Sequence, residues 1–554
     1  MVIMSSAGTT SGSTPPPTMP ASYADHGSTT SAGGSPDARP GLEPVTVGTG
    51  PPTIDEVVRV ARHGAPARLA EESLVEVRRT REVIRDLAND AEPHYGVSTG
   101  FGALATRHIP VDRRRQLQRS LVRSHAAGSG PEVEREVVRA LMLLRISTLA
   151  TGRTGIREET LTTYVDVLNA GIAPVVHEYG SLGCSGDLAP LAHCALALMG
   201  EGAVRDAHGE RMPAADALAA AGIRPVELEE KEGLALINGT DGMLGMLCLA
   251  IADLRELLVV ADVAAAMSVE GLLGTDDVFA DDLHVLRPQP GQAISAGNIR
   301  KVMAHSGIRE SHRTEACTRV QDAYSLRCAP VVAGGARDTL EHAARVAGWE
   351  LASAVDNPVV TPGGRVESNG NFHGAPVAYV LDFLAIVAAD VASISERRTD
   401  RFLDVARSNG LPPFLAHDPG VDSGHMIAQY TQAAIVSELK RLAAPASVDS
   451  IPSSAMQEDH VSMGWSAARK LRHAVDGLSR VLAVEVLTAA RGIQLRAPLT
   501  PAPATGAVVD ALVIAGASRP GGDRWLSPEI DIVHGLVTDG TVRRAAESET
   551  GPLA

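Results

Sequence analysis

The stretch GSLGCSGDLAPLAH, residues 180 to 193, sets Cys184 and Ser185 between glycines, just ahead of what reads as a helix start. A serine nucleophile on a sharp elbow would need G-x-S-x-G. Here Gly183, Cys184, Ser185 and Gly186 are followed by Asp187 where the last glycine belongs, and no strand-rich α/β pattern surrounds them. A Cys184 thiol would need a base, and spacing alone fixes neither His177 nor His193 beside it. A metal set of His177, Cys184, His193 and Cys194 is disfavoured because adjacent helical residues point in different directions. A plain turn is the ordinary alternative. Backbone cyclisation is a further one: the amide nitrogen of flexible Gly186 attacks the carbonyl carbon of residue 184. Loss of water from that ring and of the Ser185 hydroxyl leaves a dehydroalanine-bearing imidazolinone, a strong electrophile. The residues by themselves leave these options open.

The elements around this stretch are mostly helical. LAPLAHCALALMG reads as a helix, with Asp187 as N-cap and Pro190 tolerated in the first turn. Ser185 then sits just ahead of a helix N-terminus, where developing negative charge is favoured. Thr53 and Glu56 form a capping-box pattern at the start of an earlier helix. EREVVRALMLLRISTLA carries apolar residues at three- and four-residue spacings. ELLVVADVAAAMSVEGLL is apolar on most faces and predicts deep burial. APVAYVLDFLAIVAADVASISERR and AARKLRHAVDGLSRVLAVEVLTAARGI are further long helices. Loops punctuate them at HYGVSTGFG, HEYGSLGCSGD, LINGTDG and SNGNFHGAP, and loops on a rigid scaffold are where sites usually lie. The expected fold is mainly α, a long-helix bundle with a smaller loop-rich N-terminal region that carries the reactive stretch. Three segments are expected: a Ser/Thr/Gly/Pro-rich disordered tail over 1–44, an N-terminal region over 45–240, and a central bundle with a C-terminal helical region over 241–554. The apolar girth of the long helices exceeds one small core and implies an oligomer.

Composition narrows the class of function. The 554 residues carry a formal net charge of -16, which disfavours nucleic acid or an anionic membrane as partner. Asp253, Arg255, Glu256, Asp382 and Asp390 interrupt the best candidates for a membrane-spanning run. No basic region followed by an apolar one opens the chain, so no secretory signal is expected. The five cysteines are Cys184, Cys194, Cys248, Cys317 and Cys328; they make no C-x-x-C pair, and reduced thiols in a cytoplasm are the simplest reading.

Taken together, GSLGCSGDLAPLAH (180–193), YGVSTGFG (95–102), KEGLALINGT (231–240), VQDAYSLRC (320–328), QEDHVSM (457–463) and GNFH (370–373) resemble the aromatic amino acid ammonia-lyase and aminomutase family. The resemblance spans roughly residues 45 to 540. It implies a 4-methylideneimidazol-5-one (MIO) group, formed from Cys184, Ser185 and Gly186, with the methylidene carbon from Ser185. It implies neither metal nor pyridoxal phosphate. Of the chain's four lysines, Lys231, Lys301, Lys440 and Lys470, none sits in a recognised cofactor motif. By the same resemblance Tyr95 is the general base on the β-proton, Tyr324 a second site tyrosine, and Arg327 the bidentate clamp for the substrate carboxylate. Asn238, Gln321 and Phe372 line or support the ring.

Substrate choice rests on RSHAAG. Members of the family that act on histidine resemble this chain at Ser124 and His125, whereas those acting on tyrosine or phenylalanine tend to carry His-Leu or Phe-Leu. His125 and Glu458 would hydrogen-bond an imidazole, with Met426 flanking the ring, and a phenyl group would leave those polar groups unpaired. The implied reaction converts L-histidine to trans-urocanate and ammonia in a homotetramer with shared sites. The alternatives are a tyrosine or phenylalanine lyase, an aminomutase, or a degenerate binding oligomer. The chain departs from the family pattern at Cys184 (commonly Ala), Asp241 (commonly Gln), Met456 (frequently Asn) and PVVAGG (330–335).

Overall fold

The computed structural model describes residues 42–90, 94, 96–100, 107–183, 186–313 and 320–554. Residues 1–41, Tyr95, Cys184, Ser185 and Cys317 lie outside the described residues. Helix Arg114–His125 (α1) leads into strand Ser129–Glu132 (β1), which pairs antiparallel with His177–Tyr179 (β2). Helix Leu188–Leu198 (α2) follows the reactive stretch. The bundle is built from Asp241–Gly271 (α3), Ala329–Leu351 (α4), Ala375–Leu403 (α5), Met426–Leu442 (α6) and Gly464–Gln494 (α7). The strands are short and peripheral, in small two- and three-stranded ladders. One continuous hydrophobic cluster runs from Val45 to Leu553.

The local signals behave as their chemistry dictates. Thr53 Oγ1 accepts from Glu56 N at 3.2 Å, and Glu56 returns a carboxylate to Thr53 N at 2.8 Å. Pro190 lies in the first turn of α2. α3 is buried on nearly every face, as its all-round apolar sequence requires.

α3, α5 and α7 pack on one another and start at the same end of the bundle. Between them they bury a carboxylate network. Glu485 of α7 accepts from Ser268 of α3 at 2.7 Å, and from Ser395 and Arg398 of α5 at 2.5 and 2.8 Å. Arg398 also donates to the Ser325 carbonyl at 3.3 Å, so the network reaches the turn Tyr324–Arg327.

α5 is apolar and long enough to cross a membrane, although the sequence places Asp382 and Asp390 inside it. Its most apolar window is 61% buried within the protein, which is the behaviour of a core helix. Asp382 is itself buried and paired with Lys470 of α7, so this charge serves helix packing.

Candidate functional site

Gly183 and Gly186, on either side of the pair 184–185, are held through backbone atoms. The Gly183 carbonyl accepts from Ser462 Oγ at 2.8 Å and from Gly374 N at 3.3 Å. Met463 N donates to the Leu182 carbonyl at 2.8 Å. Gly183 has φ +70°, and a Cβ there would lie 2.4 Å from Ser462 Oγ and 2.6 Å from Gly464 N. Gly186 has φ +78°, and its Cβ would fall 2.0 Å from the Gly239 carbonyl oxygen. Both positions therefore exclude any side chain by conformation and by space. Gly183, Gly186 and Asp187 thus meet the chain at Gly239 to Met243, at Gly374 and at Ser462 to Gly464.

Asp187 corrects a local expectation. It stands at the N-cap position of α2, but its carboxylate makes no capping bond there. It accepts instead from Gly242 N and Met243 N at the start of α3, both at 2.9 Å, and from Ser181 Oγ at 2.8 Å. Burial pushes Asp187 up to about 7, against the pull of those three donors. The N-termini of α3, α5 and α7 all abut this loop, so three positive helix ends favour negative charge developing there.

Asn238 is nearly fully buried. Its Nδ2 donates to the Asn357 carbonyl at 2.9 Å, and its own carbonyl accepts from Arg145 Nη1 at 2.7 Å. Its Oδ1 has no partner among the described residues. Asp241, which departs from the family pattern, pairs with the same Arg145 at 3.3 Å, both side chains buried. A ring closed across residues 184–186 fits this surrounding: Gly186 has the required freedom, and the buried Asn238 Oδ1 has no partner among the described residues.

His125 ends α1. Its Nδ1 lies 2.9 Å from the Leu121 carbonyl, which can only accept, so Nδ1 carries the proton. Ser124 Oγ donates to the same carbonyl at 3.0 Å. Nε2 is thereby left as an acceptor. Burial lowers the His125 pKa, while the Leu121 carbonyl and the charge of Glu458 oppose that shift. Glu458 is thus close enough to His125 to act on it; Ser453 Oγ donates to its carboxylate at 3.1 Å. Phe372 is half-buried next to His373, whose ring stacks on His460 with centroids 5.5 Å apart.

Gln321, Tyr324, Arg327 and Met426 lie elsewhere. Asp322 Oδ2 accepts from Thr275 N at 2.7 Å, beyond the C-terminal end of α3, whereas residues 183–187 sit at its N-terminal end. A 31-residue helix is roughly 45 Å long. Tyr324 is 71% exposed, its ring under the Arg327 guanidinium at 4.7 Å, and Gln321 is exposed. Arg327 Nε donates to the Asp322 carbonyl at 3.0 Å. Met426 lines a cavity of about 400 Å³ with Leu403, Val405, Phe414 and Tyr430, at the C-terminal end of α5. One chain therefore gathers Ser124, His125, Gly186, Asn238, Phe372 and Glu458 at one end and Gln321, Tyr324, Arg327 and Met426 at the other.

His425, beside Met426, is buried against α7, with Nδ1 3.1 Å from Thr488 Oγ1. Burial lowers it to about 4, helped by Arg491 and Arg524 and opposed by Glu529 and Asp523. His193 is also lowered to about 4, by burial and then by His177. A histidine buried neutral supports the fold above its unfolded pKa of about 6.5 and loses that support as pH falls through the folded value. Stability should fall from pH 6.5 towards 4. His425→Gln should flatten part of that limb in urea midpoints measured across the range; an unchanged slope would refute the assignment.

The chain belongs to the aromatic amino acid lyase family, whose sequence model matches residues 53–513. It is 65% identical to histidine ammonia-lyase of Streptomyces griseus over 93% of this chain and 100% of that one. Among solved structures, histidine ammonia-lyase of Trypanosoma cruzi superposes with a TM-score of 0.84 at 37% identity, covering 92% of this chain and 96% of the other. Tyrosine aminomutase of Streptomyces globisporus superposes with 0.87 at 36% identity, covering 92% and 100%.

Proposed function

We propose that this chain is a carbon–nitrogen lyase that removes ammonia from L-histidine without oxidation, leaving trans-urocanate. The observation that carries the substrate is the His125 tautomer. With Nδ1–H donated to Leu121, Nε2 is left as an acceptor, and the Glu458 carboxylate, close enough to act on this ring, supplies a second. An imidazole ring brings an N–H to such acceptors, two when protonated; a phenyl ring brings none and would strand both, and a phenol has a single O–H in a different position. The names of the similar lyases support the same reading.

Cys184, Ser185 and Gly186 are the residues that would form the MIO group, and Asn238 is placed to serve it. Once formed, that group supplies the electrophile that makes the amine a competent leaving group. The remaining work falls to side chains. Tyr95, with an ordinary pKa of about 10, removes the β-proton and therefore needs help to ionise. Arg327 holds the carboxylate in a two-point fork, and Tyr324, stacked against it, steadies that guanidinium. Gln321 and Phe372 border the ring, and Met426 flanks the substrate.

Because the two groups of residues stand at opposite ends of α3, α5 and α7, a complete site needs more than one chain. Tyr379, Phe383 and Ile386 make an exposed apolar stripe at helical spacing on α5, with Ile427 and Tyr430 exposed on α6. A homotetramer with shared sites accounts for both facts. Free Cys194, Cys248 and Cys328 suit a reducing cytoplasm.

Purified protein should convert L-histidine to a product absorbing in the near ultraviolet, and act far more slowly on tyrosine and phenylalanine. His125→Phe should lower kcat/KM for histidine about 100-fold. Rapid turnover of tyrosine with none of histidine, or recovery of a β-amino acid, would overturn the reading.

A further inference from the structure

His193 and His177 have the residue types of a base or a metal pair, and the reaction described above uses neither. Their rings do face each other, with centroids 5.5 Å apart and planes at 68°. Yet His193 Nε2 is already engaged: it accepts the backbone amide of Gly128 at 3.1 Å. His177 Nδ1 donates to the Gly130 carbonyl at 2.8 Å. Both histidines are therefore attached to the short segment that leaves His125.

That segment has little freedom elsewhere. α1 ends at His125, Ala127 N donates back to the His125 carbonyl at 2.8 Å, and the chain enters β1, where Ser129 stands opposite Tyr179 of β2. Directly after β2 comes Gly180, packed so closely that a Cβ on it would lie 3.1 Å from Gly128 Cα and 2.9 Å from Ala189 Cβ. A Cβ on Gly128 would in turn meet His193 Nε2 at 3.0 Å. Because the strands are antiparallel with Ser129 opposite Tyr179, His125 before β1 and Gly183 after β2 leave the ladder at the same end. His193, on the helix that follows residues 184–186, bonds across the junction.

We propose that His193 is a positioning residue for substrate recognition: by accepting the Gly128 amide it fixes the turn after His125 relative to α2, and so sets where the imidazole of the substrate is held with respect to Gly186 and the start of that helix. The inference rests on the assignment of His125 to substrate recognition. The ring suits the task because it stays neutral over the physiological range, so Nε2 keeps its lone pair. Binding would suffer first, because Gly183 and Asp187 are held by other bonds. Loss of such uniform binding raises KM and spares kcat.

Three variants of the full chain separate this from a packing role. His193→Phe keeps a ring without an acceptor. His193→Asn is polar but too short to reach Gly128. His193→Gln places an oxygen near the Nε2 position. In the first two, KM for L-histidine should rise about tenfold, the value of one lost hydrogen bond at about 1.4 kcal/mol, with kcat changed by less than about threefold. The Gln variant should return KM to within about threefold of the parent. Amide exchange over residues 126–132 should quicken in Phe and Asn and stay slow in Gln, and intact mass should remain two waters below that of the unmodified chain in all three. Unchanged KM alongside quickened exchange would overturn the proposal. So would equal impairment in all three variants, or loss of the mass difference with the KM effect. If the parent protein fails to deaminate histidine, the His125 assignment fails first, and the exchange data then show whether the hydrogen bond survives as packing alone.

Discussion

A Ser185→Ala chain should fold, assemble and keep the two water molecules that maturation would remove, and its deamination of L-histidine should fall by more than about 1000-fold. The reason for separating fold from chemistry lies in how the loop is held. Its flanks are anchored through the Gly183 carbonyl, the Leu182 carbonyl and the Asp187 carboxylate, none of which needs the hydroxyl at 185. Stability should therefore stay within about 0.5 kcal/mol of the parent. Intact mass checks maturation, urea midpoints check the fold, and near-ultraviolet product formation checks the chemistry. Full activity in this variant would refute the electrophile assignment.

Glu485→Ala should have the opposite profile, with the fold failing first. Glu485 and Arg398 are both almost completely buried, and the carboxylate is the common acceptor for Ser268, Ser395 and Arg398. Removing it strands a guanidinium inside the bundle, which costs about 3–5 kcal/mol. Arg398 also holds the Ser325 carbonyl, so surviving protein should have a loosened Tyr324–Arg327 turn. Chemical denaturation measures the first effect and KM for histidine the second. A loss below about 1 kcal/mol would show that the bundle does not depend on this network.

The sequence discloses what is local or periodic. Thr53 and Glu56 declare their capping box because both partners lie within one turn. The bundle helices declare themselves by length and apolar pattern. Gly186 is readable as essential through the motif, but the reason for it, the Gly239 carbonyl pressed against its α-carbon, is a contact between segments. Asp187 does stand at the N-cap of α2, but its carboxylate partners are hidden for the same reason: Gly242 and Met243, 55 and 56 residues away, take the bonds that local reasoning gives to the nearest helix. His193 gave a residue type suggestive of chemistry, while its acceptor role depends on β1–β2 pairing. Glu485 gave no signal at all, since a lone acidic residue in a long helix reads as a solvated face. The separation of His125 from Arg327 is likewise invisible in motif order, because it is set by the direction in which α3, α5 and α7 run.

Those three parallel helices also act as rulers. Each residue added to one of them lengthens it by about 1.5 Å and turns everything beyond by about 100°. A loop insertion would disturb its own neighbourhood, but a single-residue insertion in α3 would shift Asp322 and the Tyr324–Arg327 turn as a block relative to the end of the bundle that holds His125. The lengths of α3, α5 and α7 are thus under a constraint that their buried surfaces alone would not impose. Change in this architecture should accumulate in the loops and in the side chains of these helices, and spare the number of residues in them.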